Sequence, residues 1–81
     1  LSDRFNRIFA ETVLSIVDAY NLIVVKTLAG SAHVAGEAVD NLHWPEIVGT
    51  LAGDNTIVVI VKRIEDVPAL MERFRSMVHR S

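Results

Sequence analysis

The chain of 81 residues has a net charge of −2, contains no cysteine, and is 51% hydrophobic with a mean hydropathy of +0.34. This length allows one small domain, and the missing cysteines exclude a disulfide scaffold, a thiolate zinc site and a cysteine nucleophile. The acidic balance argues against a nucleic-acid-binding surface. The longest apolar run, Thr56–Val61, is too short for a membrane-spanning helix, which needs about 20 apolar residues.

The hydrophobic content exceeds what one small core can bury. A domain of this size buries only about 60% of the surface that its unfolded chain exposes. Since a membrane-spanning segment is excluded, we expect the surplus apolar side chains to be buried against further copies of the chain. The sequence shows no secretion signal, so we expect a cytoplasmic location.

The first predicted elements are a short helix and a β-hairpin. Leu1–Ala10 has apolar residues at helical spacing and is interpreted as a linker helix, which leaves residues 11–81 as the domain. Thr12–Asp18 and Leu22–Leu28 are rich in strand-forming residues and predict two strands. Because a tight turn joins them, the two strands should pair in antiparallel fashion.

A second helix and a second pair of strands follow. Small apolar residues at helical spacing predict a helix over Ala32–Leu42, with Ser31 as its N-cap. Pro45 ends this region because it disfavours the helical conformation in the residue before it. Strands are predicted over Ile47–Leu51 and Thr56–Lys62, joined by a tight turn.

The final helix completes the predicted fold. Residues 67–78 carry a clean apolar stripe, and Asp66 and Pro68 are typical of a helix start. The β-β-α-β-β-α order after the first helix predicts an α/β two-layer sandwich, with an antiparallel-rich four-stranded sheet and two helices on one face. The crossover from the second strand to the third should make these two strands parallel. The opposite sheet face has no cover within the chain, so another subunit should bury it.

Negative charge is concentrated in the middle of the chain. Between Lys26 and Lys62 there is no lysine or arginine, but there are four carboxylates, which belong to Glu37, Asp40, Glu46 and Asp54. This local field favours a site for a cationic ligand, although a solvated surface explains it equally well. If the helix end at Asp40 met the turn at Asp54 and Asn55, the carboxylates there could pair with a guanidinium group.

No motif of catalysis is present, so we expect neither an enzyme nor a cofactor. The nucleophile elbow, the phosphate-binding loops and the H-E-x-x-H metal motif are all missing. His33, Asp40 and His43 make a metal site conceivable. Their spacing disfavours it, because metal-ligand pairs on a helix normally lie three or four residues apart.

Three ordered segments resemble one known family. Val48–Ile57 is similar to the signature G-T-[IL]-A-G-D-D-T-I of the bacterial arginine repressor, C-terminal domain. Val24–His33 is similar to that family's V-x-x-T-x-x-G-x-A-[QH] segment, and Ala38–Glu46 to its I-D-N-L-x-W-x-E pattern. The resemblance extends from about Glu11 to Val78.

The resemblance implies an oligomeric sensor of L-arginine in a transcriptional repressor. In that family the C-terminal domain forms trimers, two trimers stack into a hexamer, and L-arginine binds between them as corepressor. A winged helix-turn-helix domain, not included in this chain, binds operator DNA. The ligand positions correspond to His33, Asp40, Asp54 and Asn55, with Asp54 on the guanidinium and the other three on the amino-acid end.

One position departs from the family pattern. Asn55 stands where the family usually has a second aspartate, which removes a negative charge from a site for a cationic ligand. His33 stands where many relatives have glutamine, and it would repel the ligand if protonated. Asn55 leaves open an assembly module that no longer senses arginine. A second alternative, an amino-acid-binding regulatory module of a metabolic enzyme, remains open because such α/β domains also lie at subunit interfaces.

Overall fold

The computed structural model describes residues 2–78, and for Ser2 and Asp3 it describes the backbone alone. The predicted α/β sandwich is confirmed. The elements in chain order are α1 (Ser2–Thr12), β1 (Val13–Ala19), β2 (Leu22–Thr27), α2 (Ala32–Asp40), β3 (Ile47–Ala52), β4 (Thr56–Val61), a 3-10 turn (Ile64–Asp66) and α3 (Val67–Val78). Leu1, predicted to begin the first helix, lies outside the described residues. Among residues 2–78, no helix is long and apolar enough to cross a bilayer.

The four strands form one sheet in the order β1-β2-β4-β3, and every neighbouring pair is antiparallel. β3 therefore runs in the same direction as β2, as the crossover predicts. The two strands are not paired with each other, because β4 lies between them. Within residues 2–78 the sheet thus contains no parallel ladder.

Helix α2 is two residues shorter than predicted. It ends at Asp40, and the Asn41 N–H still donates to the Glu37 carbonyl oxygen. His43 then adopts a left-handed backbone conformation with φ of 55°, which takes the chain out of the helix before Pro45 is reached. Leu42 consequently belongs to the turn that leads into β3.

The core lies between one sheet face and the helices. Alternate residues of β2 and β4 point inward and are buried; these are Ile23, Val25, Thr27, Ile57, Val59 and Val61. Helices α2 and α3 cover this face as predicted, and α1 packs against both. Four aromatic rings pack against one another in a row within the helix layer. Their centroids are 5.2 Å apart from Phe5 to Phe9, 5.3 Å from Phe9 to Phe74 and 5.4 Å from Phe74 to Trp44.

The opposite sheet face, hereafter the outer face, is apolar and open. The strand register aligns four aliphatic residues in one row across all four strands, namely Val17, Val24, Val58 and Leu51. Val17 is 58% exposed and Leu51 is 66% exposed. Val24 and Val58, on the two central strands, are half-buried. An apolar row on an open sheet face is typical of an interaction surface, and a further subunit is expected to cover it.

Gly36 in the interior of α2 provides a test of the helix–sheet packing. A Cβ atom built on Gly36 would lie 3.5 Å from the Ala52 Cβ and 3.8 Å from the Ile57 Cγ2, which are ordinary van der Waals distances. We expect Gly36→Ala to stabilise the fold by about 0.4–1 kcal/mol, since alanine restricts the unfolded chain more than glycine does. Thermal unfolding should show a Tm increase on the order of 5 °C.

The matched control is Ala35→Gly, at the neighbouring buried position of the same helix. It should lower the Tm, because it makes the reverse change in helix propensity and removes a buried methyl group. A lower Tm for Gly36→Ala would show that α2 and β3 pack too closely for a methyl group.

Candidate functional site

Helix α2 and strand β3 lie side by side and run in opposite directions. The line of contact between them, called the seam, leads past the predicted ligand residues. At the first turn of the helix, the Ala32 N–H donates to the Asp54 carbonyl oxygen at 3.3 Å. At the last turn, the Thr50 Oγ1 donates to the Asp40 Oδ1 at 2.9 Å. The small residue Gly36 lies between these two contacts. The seam therefore has an Asp54 end and an Asp40 end.

The turn between β3 and β4, residues Gly53–Asn55, is called the hairpin tip. Main-chain hydrogen bonds fix the tip against the loop before α2. The Asp54 carbonyl oxygen accepts from the Gly30 N–H at 3.1 Å, and the Asn55 carbonyl oxygen accepts from the Thr27 N–H at 2.8 Å. Gly30 has φ of +78°, a conformation that glycine adopts without strain. The tip thus holds its shape while the Asp54 side chain stays exposed to solvent.

The structure groups three of the four predicted ligand residues at one end of the seam. His33 follows Ala32 in the first turn of α2, next to the hairpin tip with Asp54 and Asn55. Asp40 lies at the opposite end of the helix, eight residues after Ala32, which corresponds to about 12 Å of helix axis. One chain therefore does not gather all four residues around a single point.

Asp40 lies in an unfavourable place for a negative charge. It is the last residue of α2, where the helix dipole disfavours a carboxylate. The hydrogen bond from Thr50 compensates for part of this cost. The Asp40 side chain remains exposed, so it still has acceptor sites for a cationic group.

Ser31 does not cap α2 with its side chain, contrary to the prediction. Its backbone already has the helical conformation, with φ of −100° and ψ of −5°. A different donor, the N–H of Ala32, is bound by the Asp54 carbonyl oxygen. The hairpin tip therefore contacts the first turn of the helix directly, which connects the two parts of the candidate site.

Three polar residues that the sequence did not predict lie beside the candidate ligand residues. Thr50 binds Asp40, and Lys26 and Thr56 form a hydrogen-bonded chain that ends on the Asn55 side chain. Strand alternation could have placed Thr50 on the helix-facing side, because it lies two residues before Ala52. The pairing of Lys26 with Thr56 depends on the register between β2 and β4, which the sequence pattern does not specify.

The charged residues of the site do not form a metal centre. Within the part of the chain that the structure describes, no three histidine, aspartate or glutamate side chains are close enough to hold a metal ion. His33 lies in the first turn of α2, and His43 lies beyond the end of that helix. What the seam offers is exposed carboxylate and amide groups, which suit a polar organic ligand.

Comparison with known proteins agrees with this arrangement. A family profile described as "Arginine repressor, C-terminal domain" matches residues 9–76. Two similar curated proteins are the arginine repressors of Moorella thermoacetica, 49% identical over 74 residues, and of Heliobacterium modesticaldum, 45% identical over 76 residues. These alignments cover 91% and 94% of this chain but 49% and 50% of the relatives, so the chain spans about half their length.

The arginine repressor of Thermoanaerobacter sp. is 47% identical over 78 residues, which is 96% of this chain and 52% of that protein. These names denote transcriptional regulators and not enzymes, in agreement with the absence of catalytic motifs from the sequence. The profile match covers the α2–β3 seam, the hairpin tip and the four strands. The chain therefore belongs to the arginine repressor family, and the part it represents is the C-terminal domain.

Proposed function

We propose that this domain senses L-arginine and assembles a transcriptional repressor in the cytoplasm. L-Arginine acts as corepressor and binds between two trimers, which it holds together as a hexamer. Operator DNA is bound by a winged helix-turn-helix domain outside this chain. The acidic chain described here supplies the assembly and the ligand site, not the contacts with DNA.

The observation that carries this proposal is the exposed Asp54 carboxylate on a tip whose backbone is fixed by main-chain hydrogen bonds. A carboxylate that projects from a fixed backbone can form paired, charge-assisted hydrogen bonds with a guanidinium group. Because the tip is exposed, a ligand bound by one chain alone would stay partly in solvent. A second copy stacked over the tip would enclose the ligand and supply the groups that one chain does not bring there.

The outer face supports the assembly part of the proposal. Its aliphatic row crosses all four strands and is covered by no element of the described chain. Burying this row in a trimer would remove its apolar surface from water. Such burial stabilises the assembled state by about 25 cal/mol for each Å² of apolar surface. Arginine then adds to the stability of the assembled state, by about 2.7 kcal/mol per site when its concentration is 100 times its dissociation constant.

Sedimentation velocity of the domain at micromolar concentration tests the proposal. Without ligand we expect species larger than the 9.0 kDa chain, and with L-arginine we expect a shift to the hexamer. L-Citrulline is the matched control, because it keeps the shape of arginine but its side chain carries no positive charge. It should shift the distribution far less than arginine does.

Two other outcomes contradict the proposal in different ways. A monomer under both conditions would refute the assembly. An oligomer that does not respond to arginine would favour the structural module that no longer senses arginine. Asn55 is the residue that favours this second candidate, because it leaves the hairpin tip with one carboxylate, that of Asp54.

A further inference from the structure

The Asn55 side chain is held by a short hydrogen-bonded chain that begins on the outer face. Lys26 and Thr56 are cross-strand partners in β2 and β4, and the Lys26 Nζ donates to the Thr56 Oγ1 at 3.1 Å. The Thr56 Oγ1 in turn donates to the Asn55 Oδ1 at 3.0 Å. The main-chain oxygen of Asn55 also accepts from Thr27, so both the backbone and the side chain of Asn55 are anchored.

The contact with Lys26 favours the orientation in which the Asn55 amide oxygen faces Thr56. An ammonium group can only donate hydrogen bonds, so it occupies a lone pair of the Thr56 hydroxyl and leaves the hydroxyl proton to be donated onward. The acceptor in reach of that proton is the Asn55 Oδ1. One lone pair of the amide oxygen is therefore used internally, and both N–H groups of the amide point away from Thr56 and remain to bind other groups.

We propose that Lys26 and Thr56 are positioning residues that make Asn55 a hydrogen-bond donor at the hairpin tip, where it recognises the carboxylate of a bound amino acid. This inference rests on the proposed function, since it assumes that an amino acid binds at the tip. Asp54 then pairs with the cationic part of the ligand, and Asn55 pairs with the anionic part.

The charges at the hairpin tip support this assignment of the cationic part of the ligand to Asp54 and of its carboxylate to Asn55. An aspartate at position 55 would offer only acceptors and would repel a ligand carboxylate. Asparagine removes that repulsion, and the Lys26 ammonium, two hydrogen bonds away from the Asn55 amide, adds a favourable charge. The departure from the family signature therefore changes which group of the ligand is bound at this position, and it does not abolish binding.

Calorimetric titration with L-arginine and with agmatine isolates the contribution of the ligand carboxylate to binding. Agmatine keeps the guanidinium group and the amine but has no carboxylate, so the ratio of the two affinities reports recognition of the carboxylate. In the unsubstituted domain arginine should bind more tightly than agmatine. Thr56→Val removes the hydroxyl with little change of shape and should lower this ratio about three- to tenfold.

Thr56→Ser is the matched control, because it keeps the hydroxyl and should keep the ratio. Lys26→Met should also lower the ratio. Lys62→Met, which removes the same charge just beyond the end of β4, should leave it unchanged. Asn55→Asp should lower the ratio most, since it places a carboxylate opposite the carboxylate of arginine.

The outcomes separate this inference from the proposed function. If arginine binds and the ratio is the same in Thr56→Val, Thr56→Ser and the unsubstituted domain, the positioning role is refuted while the arginine sensor stands. If the unsubstituted domain binds neither ligand, both the inference and the proposed function fail. A lower ratio in Thr56→Val that Thr56→Ser restores supports the inference, because a purely structural role would weaken both ligands equally.

Discussion

Leu51→Asp is expected to dissociate the assembly into monomers. Leu51 is 66% exposed in the single chain and lies on the outer face, opposite Val58 of β4. A charge at this position costs the monomer little because the side chain is in water. In an assembly that buries the outer face, the same charge would have to be desolvated without a partner, at a cost of several kcal/mol. We expect the association constant to fall by at least about a hundredfold.

Sedimentation velocity measures this effect, and circular dichroism checks that the monomer keeps its fold. Ile64→Asp is the matched control. Ile64 is 53% exposed, but it lies in the 3-10 turn that leads into α3 and not on the outer face. This variant should assemble like the unsubstituted domain. An oligomer that persists in Leu51→Asp would show that the outer face is not the interface.

Asp54→Asn is expected to weaken arginine binding about ten- to a hundredfold. The substitution should leave the fold unchanged, because a turn accepts asparagine readily and the tip is fixed by the carbonyl oxygen of residue 54, not by its side chain. The lost interaction is a hydrogen bond between two charged groups, which contributes about 1.5–3 kcal/mol. Isothermal titration calorimetry with L-arginine gives the two affinities directly.

The matched control for this change is Asp18→Asn. Asp18 is an exposed aspartate near the end of β1, at the sheet end far from the hairpin tip, so the variant makes the same change in net charge away from the site. Its arginine affinity should equal that of the unsubstituted domain. Equal affinity in Asp54→Asn as well would mean that Asp54 is not the guanidinium partner.

Local sequence patterns were sufficient to predict the elements of this fold. The β-branched run of β4 indicated a strand with two apolar faces, and the apolar stripe of α3 indicated a helix with one buried side. Both features depend on spacing within one segment. The end of α2 could not be predicted in this way, because the left-handed conformation of His43 is uncommon for a residue other than glycine and no local pattern indicated it.

The candidate site was only partly predictable for a related reason. The acidic interval and the family resemblance made Asp40, Asp54 and Asn55 candidates, and the resemblance added His33, but periodicity does not fix the register of a helix against a strand. That register puts Thr50 on Asp40 and separates Asp40 from the hairpin tip. The contact between Lys26 and Thr56 likewise requires β2 to pair with β4, two strands that are far apart in the chain.

The position of β4 between β2 and β3 determines when the sheet can form as the chain is made. β4 is the last strand to be made, yet it supplies the pairing partner for both of its neighbours. Until Thr56–Val61 has emerged, the nascent chain carries two strands with unpaired inner edges, and such edges are the usual templates for aggregation. Truncated products that stop before residue 56 should therefore be insoluble or rapidly degraded, even though they contain three of the four strands.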